Sequence, residues 1–328
     1  MIDYIIIILG GEQMKVVITD YEYENIETER AIIEGAGFTL LSCQLKRPEE
    51  LLPVLRDADA VITQYSSITS EVIEGMEHCR MIIKYGIGVN NIDCDAAATK
   101  GIFVCNVPDY GISEVSDHTC AMILALGRKL MPLAGALKSG GWGYSSAVPL
   151  KRLSECTLGL VGFGRIPQMA AKKMRAFGMR VIAYDPFVSS ETAAEQSVNL
   201  VSLDELLRTG DFISVHCPLT RDTFHLIGKE EIEKMKASAF LINTARGGII
   251  DEKALITALK EKRIAGAGID VFEEEPVHPG HPLLSMDNVI ATPHSAWYSE
   301  TAIRTLQRKA AEEVVNVLKG NKPFNRVV

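Results

Sequence analysis

Short runs of branched apolar residues alternate along the chain with longer stretches whose apolar positions recur every three or four residues. In the first third the strand-like runs are Lys15–Thr19, Phe38–Ser42, Ala60–Thr63, Met81–Lys84 and Ile102–Cys105. Between the first two, Thr28–Glu34 reads as a helix stopped by Gly35 and Gly37. The rhythm returns with Leu158–Val161, Val181–Tyr184, Phe212–Val215, Ala239–Ile242, Gly268–Val271 and Asn288–Ala291. These runs are almost continuously apolar, as parallel strands buried on both faces must be. Two such series predict an α/β protein with two doubly wound parallel-sheet domains.

The stretch between the two series reads as one long helix, Ser113 to Leu130, with Ser113 as N-cap and Glu114 in the first turn. A glycine-rich loop, Ser139–Gly143, follows. A last helix, about Ser299 to Leu318, has no strand after it. Such a helix can pack back on the first domain and make that domain discontinuous.

A length of 328 residues agrees with about two domains. Apolar residues make up 47% and charged residues 23%, enough for a sizeable core. The net charge of −8, with no Lys/Arg blocks, makes a poor partner for nucleic acid or an anionic membrane. No apolar run approaches the ~18 residues of a membrane span. The seven cysteines are scattered and form no CxxC pair, which argues against a disulfide framework or a metal site and for a reducing cytoplasm. The start, MIDYIIIIL, has a short apolar run, Asp3 and no basic residue, unlike a secretion signal. Residues 1–13 read as an extension upstream of Met14; the competing reading is an added edge strand.

The segment Leu158–Met174 carries the first chemical signal. A strand-like run enters Gly162-Phe163-Gly164, and a helix follows with apolar Ile166, Met169, Ala170, Met174 and Phe177. Gly162 permits a tight turn, Gly164 lets a pyrophosphate approach the backbone, and the helix N-terminus offers N–H groups and a positive dipole end. Asp185 ends the next strand, 21 residues after Gly164. A carboxylate there accepts hydrogen bonds from an adenosine ribose and repels a 2′-phosphate, which favours NAD over NADP. Pro167 stands where the GxGxxG pattern has its third glycine; a first helical turn tolerates it.

Three polar residues follow strand-like runs at spacings of 29 and 19 residues: Arg246, Glu275 and His294. Reduction of a 2-keto acid needs a proton donor for the carbonyl oxygen, and His suits that role near neutral pH. A neighbouring carboxylate orients the His, and an Arg grips the substrate carboxylate.

With these residues the chain resembles the D-isomer-specific 2-hydroxyacid dehydrogenases over nearly all of its length after Met14. The resemblance rests on Lys84–Asp93, Asn106–His118, the dinucleotide loop, His216–Ile227, Ile242–Leu255, Gly268–Pro276 and Thr292–Ser299. It implies a flavodoxin-like substrate domain, 1–105 plus 298–328, and a Rossmann NAD domain, 106–297. It implies Arg246, Glu275 and His294 as the catalytic set, with His294 the acid/base. Cofactor contacts would come from Gly162, Gly164, Arg165, Ile166, Asp185, His216, Cys217, Pro218, Thr223, Thr244, Ala245, Arg246, Asp270 and His294, with Asp270 facing the nicotinamide carboxamide. The substrate would meet Lys84, Arg246 and Trp297, and its carboxylate the backbone N–H groups around Ile87 and Gly88. In the family the helix matching Ser113–Leu130 lies at a homodimer interface.

Ala296–Ser299 is most similar to the C-terminal-binding-protein branch, which keeps open a second function, an NADH-sensing dimeric regulator or corepressor. The intact Arg246/Glu275/His294 set favours an enzyme. Glu275 argues against formate-dehydrogenase-like chemistry, whereas phosphite oxidation stays open. The chain stops soon after its last helix, so an appended regulatory domain is not expected. Which 2-hydroxy acid fits is not written in the sequence.

Overall fold

The computed structural model describes residues 13–328. The alternatives for the first thirteen residues therefore fall almost wholly outside the described residues. Contacts group the described residues into two compact units, one of residues 13–110 and 299–328, the other of residues 111–298.

The first unit holds a parallel sheet of β1 (Lys15–Ile18), β2 (Thr39–Ser42), β3 (Ala60–Thr63), β4 (Met81–Lys84) and β5 (Phe103–Cys105), in the order β2-β1-β3-β4-β5. That is the flavodoxin-type order, whose reversal lies between β1 and β3. The inner strands β3 and β4 are buried at every position, as a sheet covered on both faces requires. The helix Glu300–Leu318, N-capped by the Ser299 hydroxyl, packs on the helix Glu27–Gly35 of the same unit. Gln307 reaches Glu29 and the Asn25 carbonyl, which ties the end of the chain to its beginning.

The second unit holds β6 (Thr157–Val161), β7 (Arg180–Tyr184), β8 (Asn199–Leu200), β9 (Phe212–Val215), β10 (Phe240–Asn243), β11 (Gly266–Ile269) and β12 (Val289–Ala291). Their order, β12-β11-β10-β9-β6-β7-β8, is all parallel and is the Rossmann order extended by one strand. The reversal lies between β6 and β9. The α/β class with two parallel sheets is as the sequence pattern predicts.

Three local expectations need correction. The expected helix Ser113–Leu130 is two helices, Ile112–Gly127 and Leu130–Lys138, which meet at 60°. Lys129 between them has φ 51°, a left-handed conformation that ends a helix, and Gly127, the last residue of the first helix, and Pro132, in the first turn of the second, flank the break. Ser113 is not the cap. Gly111 is, without a side-chain bond, and the Ser113 hydroxyl donates one turn further along the helix to Asp117. The third correction concerns β11, which lies two residues earlier than Gly268–Val271, so Asp270 stands immediately beyond its end. Among the described residues no single helix is long and apolar enough to cross a membrane. Only the bent pair passes together, and its first helix is a core element that buries Val115, Met122, Ile123 and Leu126.

Candidate active site

All the expected cofactor and catalytic residues lie in the second unit, most of them beyond the carboxyl ends of its strands. Gly162 ends β6 at φ 94°, and a Cβ there would come within 2.7 Å of the Cys217 backbone nitrogen. The residue must therefore be glycine because the turns after β6 and β9 touch at the sheet's order reversal. A Cβ on exposed Gly164 would meet no atom within 4 Å, so packing does not demand its glycine. Helix Arg165–Ala176 begins there, and its first N–H groups have no partner within the helix. Pro167 is buried in the first turn and, with Ala170, Ala171 and Met174, forms the face on the sheet. Met169 and Phe177, expected on that face, are 37% and 50% exposed. Pro167, not they, completes the stripe. Lys173 ties this helix to Ser116 and Asp117 of the helix Ile112–Gly127 at 2.6 and 2.7 Å.

Asp185 sits beyond β7 as expected. Its carboxylate accepts the N–H of Phe163 and the N–H of Phe187, both at 2.8 Å. One bond per oxygen leaves acceptor capacity on each. Asp185 thus braces the glycine turn and can still receive hydroxyl groups.

His216, beyond β9, bonds Ser214 at 2.8 Å. Burial pushes its pKa down to about 3, so it is a neutral ring and no acid/base candidate. Burial pushes the neighbouring Cys217 thiol up to about 11, which leaves it unreactive at neutral pH. Pro218 is exposed, and its carbonyl accepts the Thr223 hydroxyl at 2.6 Å.

The loop after β10 is set by Asn243, which the sequence reading did not single out. Its side chain accepts the Ala245 N–H at 3.0 Å and donates to the Arg246 carbonyl at 2.9 Å. Thr119 donates its hydroxyl proton to the Val115 carbonyl, so Thr244 must be the donor in their 2.9 Å contact. Gly247 was also missed. A Cβ there would stand 1.9 Å from the Phe272 carbonyl group. Only glycine lets the Arg246 loop lie against the backbone that carries Glu275.

The Glu275 carboxylate accepts the Phe272 N–H at 3.0 Å with one oxygen and faces His294 Nδ1 at 2.7 Å with the other. Burial acts to raise its pKa. The His294 hydrogen bond and charge, the Phe272 N–H and the charge of Arg246 outweigh that and hold it below the ordinary carboxylate value. His294 is held at φ 51°, with its N–H on the Asp270 carbonyl at 2.7 Å. The Asp270 side chain is 1% exposed and accepts from the Thr292 hydroxyl and from the N–H groups of Ser295 and Ala296. Three bonds leave it one acceptor position. Its visible work is to shape the turn that carries His294, with His118 supporting Thr292 at 3.0 Å. A cavity of about 300 Å³ is lined by Arg246, Glu275 and the apolar side chains of Leu219, Phe224 and Phe272.

This arrangement places a His–carboxylate pair and a guanidinium at one sheet end, next to a glycine turn and a helix N-terminus. A family model described as D-isomer specific 2-hydroxyacid dehydrogenase, NAD binding domain, matches residues 120–296. The chain belongs to this family. Across 316 residues it is 40% identical to D-3-phosphoglycerate dehydrogenase of Methanocaldococcus jannaschii, covering 96% of this chain and 59% of that protein. The chain thus spans about three-fifths of that relative. The structure of D-lactate dehydrogenase from Aquifex aeolicus, complexed with NAD and lactic acid, superposes with a TM-score of 0.88 at 31% identity, covering 95% of this chain and 99% of that one. An acyclic imino acid reductase, Bsp5, in complex with NADPH and D-Arg superposes at 0.87 with 29% identity, covering 96% of this chain and 100% of that one. Structural relatives of the chain thus include complexes with NAD and with NADPH.

The first unit carries the other expected residues. Lys84 ends β4, buried, with Nζ 5.2 Å from the centre of the Tyr65 ring. The Ile87 carbonyl accepts from the Asn106 side chain at 2.7 Å, which steadies the Gly86–Gly88 loop. Trp297, in the second unit, packs edge-on to Tyr298 and lies against Gly111.

Proposed function

We propose that the protein is an NAD-dependent D-2-hydroxyacid dehydrogenase that interconverts a 2-keto acid and its D-2-hydroxy acid. The observation that carries the reading is the 2.7 Å pair of His294 and Glu275 beside the Arg246 loop. The residues around Gly164 fit a dinucleotide: an open glycine, a helix N-terminus, and Asp185 with acceptor capacity to spare. The bound nicotinamide supplies or takes up the hydride. Every other task falls to side chains. His294 gives the carbonyl oxygen its proton in reduction and takes it back in oxidation. Glu275 fixes the ring by Nδ1, which leaves Nε2 for the substrate and stabilises the protonated ring. Arg246 holds the substrate carboxylate and polarises the carbonyl. In the first unit, the loop around Ile87 and Gly88 offers backbone N–H groups of the kind that suit a carboxylate.

Asp185 supports NAD over NADP, since a second negative charge beside it is repelled. The domain assignment follows: residues 106–297 hold the cofactor, and residues 1–105 with 298–328 the substrate. Dimerisation is supported by the helix Leu130–Lys138, which buries none of its residues, and by Trp142 beyond it, 93% exposed. The seven free cysteines support a reducing, cytoplasmic setting. A panel of 2-keto acids with NADH tests the reading: consumption of NADH with a D-hydroxy acid as product is expected, and no consumption with any of them would refute it.

A further inference from the structure

His294 stands at φ 51°, a left-handed conformation that residues with a Cβ rarely adopt and that persists only where neighbours hold it. Its N–H reaches the Asp270 carbonyl at 2.7 Å and the Thr292 carbonyl at 3.1 Å. The buried Asp270 carboxylate accepts the N–H of Ser295 on one oxygen at 2.9 Å and that of Ala296 on the other at 3.0 Å. The Thr292 hydroxyl donates to the first of these oxygens at 2.6 Å. His118 stands behind Thr292, its Nε2 3.0 Å from the hydroxyl oxygen. It comes from a separate element, the helix Ile112–Gly127. All these residues belong to the second unit.

The direction of each bond in this chain is determined. A hydroxyl has one proton, and Thr292 gives it to Asp270. His118 Nε2 must therefore carry a hydrogen and donate it to Thr292. Charge agrees with this: the same nitrogen is 3.8 Å from the Asp270 carboxylate, where a donor is favoured over a bare lone pair. The helix is a fixed reference for the bond. Its next residue, Thr119, receives the hydroxyl of Thr244, two residues before Arg246. Lys173 of the helix Arg165–Ala176 holds Ser116 and Asp117. A turn tied to an element braced in this way keeps its geometry better than one held by loops alone.

We propose, resting on the dehydrogenase reading above, that His118 is a positioning residue for proton transfer: its Nε2–H fixes the Thr292 hydroxyl on Asp270 and so holds the His294 turn in its left-handed conformation. His118 acts through Thr292. It serves the step in which His294 gives up or takes back a proton. The Arg246 loop is held separately, by Thr119 through Thr244 and by Asn243. Turnover therefore depends on His118, and the grip on the substrate carboxylate does not.

The test measures kcat and KM for a 2-keto acid with saturating NADH in wild type, His118→Gln, His118→Leu, Thr292→Val and the double variant His118→Leu/Thr292→Val. His118→Leu is expected to lower kcat about five- to tenfold, the scale of one lost hydrogen bond, with KM for the keto acid within about twofold of wild type. His118→Gln, whose amide N–H takes the place of Nε2–H, should recover most of that loss. The double variant should be no slower than Thr292→Val, because the two residues act in series. If His118→Leu does not fold, His118→Asn, whose amide is too short to reach Thr292, takes its place in the comparison. Losses that multiply in the double variant, a His118→Gln as slow as His118→Leu, or a KM that rises as much as kcat falls, overturn the proposal alone. A wild type that reduces none of a panel of 2-keto acids overturns it together with the dehydrogenase reading.

Discussion

His294 Nδ1 and the Glu275 carboxylate face each other at 2.7 Å, with both side chains about one-third exposed or less. The pair is held from both sides. Asp270 shapes the turn under His294, and the Phe272 N–H holds the second oxygen of Glu275. The ring therefore presents its other nitrogen outward.

The pH dependence follows from the lowered pKa of Glu275. A carboxyl held below its ordinary value contributes stability that is present above that value, about 4.3, and is lost as pH falls through the native one. The pair thus stays intact from about pH 5 upward. Reduction consumes a proton delivered through His294, so its rate falls on the alkaline side. Glu275→Gln removes the charge, and the alkaline limb of kcat/KM for reduction should move to lower pH. Glu273→Gln is the control, since Glu273 bonds His225 instead. Equal shifts in the two variants, or none, would contradict the assignment.

Arg246→Lys tests the grip on the substrate carboxylate. Lysine keeps the charge and loses the planar fork. KM for the keto acid should rise at least about tenfold, with a fall in kcat, because a bidentate charge-assisted contact is lost. A KM within twofold of wild type would remove Arg246 from the site.

Gly247→Ala tests the contact between the loops that carry Arg246 and Glu275. The new Cβ would fall 1.9 Å from the Phe272 carbonyl group, backbone that cannot rotate away. Overpacking of about 1–3 kcal/mol should lower the melting temperature by several degrees. Displacement of the Glu275 loop should also cut kcat. Wild-type stability and turnover would show that the loops do not depend on this approach.

Asp185→Ala should narrow the preference for NADH over NADPH, read by fluorescence titration of both. NADH binding weakens twice over, through lost ribose contacts and through the unbraced Phe163 N–H. A wild type that binds NADPH as tightly as NADH would contradict the reading of Asp185.

Much of this was legible in the sequence, because periodicity reports burial directly. The buried parallel strands, the turn at Gly162 and the placement of Arg246, Glu275 and His294 beyond strand ends all follow from local patterns. The helix break at Lys129 was missed although Gly127 and Pro132 flank it, because the apolar spacing runs on across it. Met169 and Phe177 misled because apolar spacing on one helix does not say which residues the sheet covers. Asn243 and Gly247 act through contacts between loops distant in sequence.

The most direct measurement of the central claim compares His294→Ala with wild type, following NADH loss with a 2-keto acid and NADH affinity by titration. The account predicts turnover by the wild type, a fall of roughly 10²–10⁴-fold in the variant, and NADH affinity nearly unchanged. Turnover by His294→Ala close to that of wild type, across several keto acids, would contradict it.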